Sequence, residues 1–272
     1  MFSVVIPLYN KENSITDTLH SVFNQDYNEF EVIVVDDGSI DASLRKVQEF
    51  TDARIRVIQQ ENQGVSAARN SGIKAANYSW IAFLDGDDLW KPNHLSLMKQ
   101  LIDTYPSEKV FASSFEETNG RQMNGGMEPS TVFTLGVNEY FKRYLTFPNL
   151  LCTITIVADK DLLLQIGGFN PKIAIGEDLD LWARITQKTS IVKSCAITAT
   201  YRLNAENRSD IGTYNMEKSF LKFIQFRQMK TIEEKKFYRY WIWHQLKFFL
   251  VRKELKNSMY LISKFGFYLL RY

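Results

Sequence analysis

Two apolar runs in this chain each end in a cluster of carboxylates, and this pairing limits the fold more than any other feature. Residues 31–35 lead into Asp36-Asp37-Gly38-Ser39, and residues 80–84 lead into Asp85-Gly86-Asp87-Asp88. Short, β-branched runs of this kind read as strands buried on both faces, as in a parallel sheet covered by helices. In open α/β sheets, ligands bind just beyond the carboxyl ends of the strands. Carboxylates at that edge can hold a divalent cation and read a ribose or a base. The pattern therefore points to chemistry on a nucleotide-linked substrate.

The rest of the first hundred residues fits the same sheet. Strand patterns over 2–7, 30–35, 54–58 and 79–84 alternate with helical patterns over 12–24, 40–50, 66–76 and 92–103. Asp41 is a candidate N-cap for the second helix, and Pro92 stands in the first turn of the fourth. Such alternation predicts an α/β fold, a Rossmann-like, mostly parallel sheet flanked by helices. Beyond residue 105 the rhythm changes. Strands are expected over 110–117, 152–158 and 190–201, and helices over 136–144, 160–166 and 178–188. A Gly- and Asn-rich loop is expected over 121–130 and a turn at Gly167-Gly168. After about residue 212 only helical patterns remain. The expected organisation is an α/β domain over 1–212, with a first half at about 1–105 and a second at 106–212, then a helical tail over 213–272.

Charge separates the same two regions. The whole chain carries +2, but residues 214–272 hold 13 Lys/Arg against 4 Asp/Glu, a balance of +9 that leaves −7 on the rest. The tail also holds 16 aromatic residues. Phe237, Tyr240, Trp241, His244, Phe248 and Val251 follow helical spacing among Lys and Arg residues. Three partners suit such a surface: an anionic membrane interface, the chain's own catalytic domain, or a second copy in a homodimer. No nucleic-acid partner is expected, because nothing beyond basic and aromatic content supports one. Cys152 and Cys195 have no metal or disulfide spacing. There is no basic leader and no uninterrupted apolar span of about 20 residues. The expected location is cytoplasmic, with peripheral contact at the inner face of the membrane through the tail.

The acidic turns carry the candidate chemistry. Asp37 can accept hydrogen bonds from a ribose hydroxyl or a uracil N–H, although Asp-Gly is also ordinary turn chemistry. Asp85 and Asp87, one residue apart around Gly86, can converge on one hard cation such as Mg2+ or Mn2+. Residues 61–70 form a polar loop entering a helix, whose N-terminus favours anions, and Arg69 can reach a phosphate from there. Glu177-Asp178 opens a later helix, where carboxylates are stabilised by the helix dipole or serve as a general base. No P-loop, dinucleotide fingerprint, zinc spacing or nucleophile elbow occurs.

Taken in order, these segments resemble family 2 glycosyltransferases of the inverting, GT-A type found in bacterial polysaccharide biosynthesis. The resemblance rests on Ser3 to Asn10, Val34 to Ser39, Asn62-Gln63-Gly64 with Ala68 to Gly72, Phe83 to Trp90, Gly167-Gly168-Phe169 and Gly176 to Trp182. It covers about residues 2–205. It implies that Pro7, Tyr9 and Asp37 line the base pocket of a nucleotide-sugar, usually a UDP-sugar. Asp85 would lie near the ribose, and Asp87, with Asp85 beside it, would hold Mn2+ or Mg2+ on the diphosphate. Gly167, Gly168, Phe169 and Trp182 would shape the side that takes a glycan or lipid-linked acceptor. Asp178 would be the base, with Glu177 as second candidate. Related chains often carry a His after the last strand, where this one has Asn204. A nucleotidyltransferase and a non-catalytic nucleotide-sugar-binding module are the alternatives.

Overall fold

In chain order the first half forms β1 (Phe2–Leu8), α1 (Ile15–Phe23), β2 (Phe30–Asp36), α2 (Ser43–Gln48), β3 (Ile55–Gln59), α3 (Val65–Ala75) and β4 (Trp80–Phe83). The computed structural model describes residues 1–147, 149–206 and 214–269. β1 and β2 are buried along their whole length, as their continuous apolar content requires. The four strands are parallel in the order β3-β2-β1-β4, with Val4 facing Val32 on one side and Ala82 on the other. Side chains alternate across the sheet. Val4, Ile6, Leu8, Val32 and Val34 join one apolar cluster, whereas Val5, Ile33, Val35 and Phe83 join the other. The chain winds from β1 out to β3 and then returns to place β4 on the far side of β1. This reversal opens a crevice at the strand ends, where both acidic turns lie.

The second half contains β5 (Leu89–Trp90), α4 (His94–Thr104), β6 (Val110–Glu117), β7 (Gln122–Met123), β8 (Val132–Leu135), α5 (Val137–Thr146), β9 (Ile156–Asp159), α6 (Lys160–Gln165), α7 (Glu177–Thr186) and β10 (Ile191–Tyr201). These extend the sheet as β4-β9-β6-β10-β5, with β7 on β6 and β8 on β10. β9 runs antiparallel to β4 and β6, and β6 and β10 are parallel, so the complete sheet is mixed. Two local expectations change. Thr153–Thr155 is a 3-10 turn and the strand begins at Ile156, because the Thr155 N–H and hydroxyl both donate to the Cys152 carbonyl, at 3.0 and 2.9 Å. The 121–130 segment is not wholly loop, since β7 pairs with β6 and buries Met123.

The expected boundary at 212–213 lies outside the described residues. Past it come three short 3-10 turns, α8 (Ile232–Val251) and α9 (Leu255–Leu269). Part of the aromatic content of α8 packs inward on α5, while Tyr240, His244 and Val251 stay exposed. Phe237 is fully buried, with its ring 5.1 Å from Tyr144 and 5.2 Å from Phe141. Trp241 lies 6.2 Å from Tyr144. Phe237, Ile242 and Phe249 therefore share one apolar cluster with Val5 and Phe83 of the sheet. Among the described residues, no helix is long and apolar enough to cross a membrane.

Candidate active site

The crevice widens into a cavity of about 540 Å³ lined by both halves of the chain. Pro7 and Tyr9 reach it from the end of β1, Asp37 from β2, and Asp85, Asp87 and Asp88 from the turn after β4. Arg69 comes from α3, Tyr144 from α5, Glu177 and Asp178 from α7, and Arg202 from the end of β10. All eight residues expected to bind the donor, bind metal or act as base thus share one cavity. The four expected on the acceptor side do not line it. Phe169 and Trp182 are fully buried, with rings 6.4 Å apart. Gly167 and Gly168 form the turn above them, both at positive φ.

That turn is held by α3. The Asn70 side chain donates to the Phe169 carbonyl at 2.7 Å and accepts from the Phe169 N–H at 2.9 Å. A Cβ on Gly168 would fall 2.3 Å from Asn70 Oδ1, so only glycine fits. α3 in turn lies close against β1, because Gly72 has no side chain: a Cβ there would stand 2.3 Å from Val5 Cγ1. This close packing sets Arg69 at the strand ends. Its buried guanidinium binds Asp85 at 2.7 Å and Glu177 at 3.0 Å. Burial disfavours its charge, but the two carboxylates outweigh burial and raise its pKa. One cation therefore ties the turn after β4 to the start of α7.

Asp37 is largely occupied. Its carboxylate accepts from Gln60 Nε2 at 2.7 Å and from the N–H groups of Gln63 and Gly64 at 2.9 and 2.8 Å. It anchors the loop that feeds α3 as well as facing the cavity. The Asp178 carboxylate accepts the Leu179 N–H at 2.7 Å. Burial pushes its carboxyl up to about 7, the Glu177 charge adds to this, and the Leu179 bond and Arg69 offset part of it. A carboxyl near 7 can take a proton and release it at neutral pH.

Sequence reasoning missed Lys11. Its ammonium donates to Asp87 Oδ2 at 2.6 Å and also to the Glu206 carbonyl. No local signal marks it, since its partner Asp87 lies 76 positions away; Asn10, just before it, adopts φ 51°. Asp88, at the end of the acidic turn, is buried and accepts the Arg202 N–H at 2.8 Å. Burial raises both Asp87 and Asp88, and repulsion within the acidic turn adds to it. Asn204, at the position where related chains often carry His, is exposed and does not line the cavity.

The donor set suits a hard divalent cation. Asp85 and Asp87 offer oxygen ligands on one wall, and the repulsion that raises Asp87 is what such a cation would relieve. Among the described residues no group of three or more His, Cys, Asp or Glu is placed to hold a metal. The protein would supply one or two carboxylates and leave other positions to phosphate and water, as Mg2+ and Mn2+ sites commonly do.

Comparison with known proteins agrees with this fold. WfgD of Escherichia coli, a UDP-Glc:alpha-D-GlcNAc-diphosphoundecaprenol beta-1,3-glucosyltransferase, is 30% identical over 212 residues, covering 77% of this chain and 79% of WfgD. An uncharacterized glycosyltransferase of Rickettsia felis is 30% identical over 203 residues and 70% of this chain. This chain spans only 31% of that longer protein. The crystal structure of S. aureus TarS in complex with UDP-GlcNAc superposes with a TM-score of 0.78 over 98% of this chain and 80% of that one. At 22% identity this likeness speaks to the fold, a mixed GT-A sheet flanked by helices. The model of glycosyl transferase family 2 matches residues 3–155, or 153 of 272 positions. With more than half of its length matched, the chain belongs to glycosyl transferase family 2.

Proposed function

We propose that this chain transfers a hexose or N-acetylhexosamine from a UDP-sugar to a hydroxyl of a lipid-linked glycan, with inversion at the anomeric carbon. The observation that carries the reading is the convergence of Asp37, Asp85, Asp87 and Asp178, from three separate segments, on one cavity at the strand ends. WfgD, by its name, takes UDP-Glc as donor and a diphosphoundecaprenol-linked GlcNAc as acceptor, and TarS was crystallised with UDP-GlcNAc. Both support the proposed substrate class. A nucleotidyltransferase has the weaker case, because the family match covers the whole donor half.

In this reading Asp37 and Tyr9 receive the base, and Asp85 receives the ribose. Asp87, with Asp85 beside it, would hold Mn2+ or Mg2+, which supplies positive charge against the diphosphate as negative charge develops there. Arg69 keeps Asp85 and Glu177 at fixed places and is itself spent on those two ion pairs. Asp178 takes the proton from the acceptor hydroxyl. The acceptor oxygen forms the new bond to the anomeric carbon from the face opposite UDP. The bond from that carbon to the diphosphate oxygen breaks, and its electrons leave with UDP. Glu177 stays paired with Arg69 and holds no transferred proton.

The test is transfer of labelled sugar from UDP-glucose or UDP-GlcNAc to a polyprenyl-diphosphate glycan, with the anomeric configuration read by NMR. An inverted product from the native chain, with none from Asp178→Asn, supports the reading. A retained configuration contradicts it. Tight donor binding with no turnover on any acceptor favours the non-catalytic module.

A further inference from the structure

Of the α8 face that the sequence offered to a membrane, Phe237 is buried against α5 and Trp241 packs beside it, while Tyr240 and Val251 stay exposed, and Val251 joins a further exposed surface of the tail. Where α8 turns into α9, Leu250, Val251 and Leu255 are 52%, 83% and 69% exposed. Arg252, Lys253 and Lys256 are interleaved with them and are exposed as well. The same face runs back along α8 through Lys247 to Trp243, seven residues before Leu250. It continues along α9 through Met259 and Ile262, at i+4 and i+7 from Leu255, while Leu261 and Phe265 face the core. Residues 243–262 contain four Lys/Arg and one acidic residue, Glu254, which accepts from Asn257 Nδ2 at 2.8 Å.

We infer that the tip of the α8–α9 hairpin docks on an anionic lipid bilayer, with Leu250, Val251 and Leu255 entering the interface and Arg252, Lys253 and Lys256 at headgroup level. Neighbouring exposed apolar side chains rimmed by polar ones are the arrangement that marks an interaction site. The interleaved cations select an anionic partner over a neutral one. The charge distribution orients the approach, because the tail carries +9 and the remainder −7. A bilayer that attracts the hairpin therefore repels the acidic body, which leaves the hairpin as the contact. The hairpin is also joined to the site: Phe237 and Trp241 of α8 pack on Tyr144, which lines the cavity. A docked chain would thus hold its cavity near the surface from which a lipid-linked acceptor projects. Only this last consequence rests on the proposed acceptor.

Flotation of the full chain with vesicles tests the inference without any donor, so its outcome is separate from that of the transfer reading. Phosphatidylcholine vesicles containing phosphatidylglycerol should carry the protein upward, and phosphatidylcholine alone should carry much less. Raised salt should release it, since screening acts over about 10 Å at 0.1 M salt. Leu250→Asp with Val251→Asp should lower the bound fraction at least about tenfold with the melting temperature kept. Lys253→Gln with Lys256→Gln should weaken binding to anionic vesicles only. Absence of flotation on anionic vesicles at low salt would overturn the inference, as would equal flotation of the aspartate variant. A dimer in lipid-free solution that the aspartate variant splits would also overturn it, by assigning the patch to a second copy.

Discussion

Asp178 illustrates how a single residue can carry opposed demands. Its carboxyl is held near 7 by burial and by Glu177, so in the folded chain it keeps its proton to a higher pH than in the unfolded chain. A raised carboxyl contributes stability below its unfolded pKa of about 4 and loses that contribution as pH rises through about 7. Asp178→Asn is therefore expected to stabilise the fold by about 1–3 kcal/mol at pH 8, while transfer falls by roughly a hundredfold or more. Urea melts at pH 5 and pH 8 check the first part, and the gain should shrink at pH 5. In the native chain, kcat/KM should rise with pH through about 7. At Lys11 the ammonium occupies part of the charge space a metal ion would need. Lys11→Met should tighten Mn2+ binding without nucleotide by about fivefold, read from the EPR signal of free Mn2+; equal or weaker binding would argue against that reading. The acidic residues were legible because both acidic turns follow buried apolar strands, whose carboxyl ends are where open α/β sheets place ligands. Lys11 was not, because its contact with Asp87 spans 76 positions and only the folded crevice brings the two together.

Among the elements, α3 organises the site. It lies close on β1 through Gly72, carries Arg69, and clamps the Gly167-Gly168-Phe169 turn through Asn70. The sequence marked that turn as belonging to an acceptor surface. The structure shows its side chains beneath the cavity, with Phe169 under the Arg69 guanidinium at 5.0 Å. Gly168→Ala should cost about 2–4 kcal/mol, from a left-handed φ and from displacement of Asn70, measured by urea denaturation. Strands β5, β7 and β8 escaped the sequence because two to four residues carry too little periodicity. β10 hides a further device. Its register against β6 shifts after Lys193, and the buried Lys193 ammonium donates to the Ser113 and Ser194 carbonyls and to Ser114 Oγ near that shift. Burial lowers this amine to about 7. A depressed amine gives stability that is full above its unfolded pKa and lost as pH falls toward 7. The melting temperature of the native chain should thus gain from pH 7 to pH 9 relative to Lys193→Met. Parallel pH curves for the two proteins would contradict this.

At the scale of the whole molecule, the tail supports the site from behind. Residues 174 and 175 of the loop before α7 donate to the Lys218 carbonyl, and the Phe220 N–H donates to the Ile175 carbonyl at 3.0 Å. Phe220 stacks so closely under Gly176 that a Cβ there would lie 2.4 Å from its ring. Phe237 fills the space between α5 and α8. Phe237→Ala should cost about 3–5 kcal/mol and lower activity through Tyr144, which calorimetry and transfer assays would read together. The helical nature of the tail was plain from its spacing. Which of its aromatics turn inward was not, because periodicity shows that a face is apolar but not what covers it.

The account stands on one claim above the others, that a UDP-sugar occupies the cavity at the strand ends. Isothermal titration of UDP-glucose and UDP-GlcNAc with and without Mn2+ tests it most directly, using the native chain, Asp37→Ala, Asp87→Asn and Asp178→Asn. The account predicts metal-dependent binding of one donor, lost in Asp37→Ala and Asp87→Asn and kept in Asp178→Asn. Binding that ignores both the metal and the Asp37 and Asp87 changes, or no binding by the folded native chain, would contradict it.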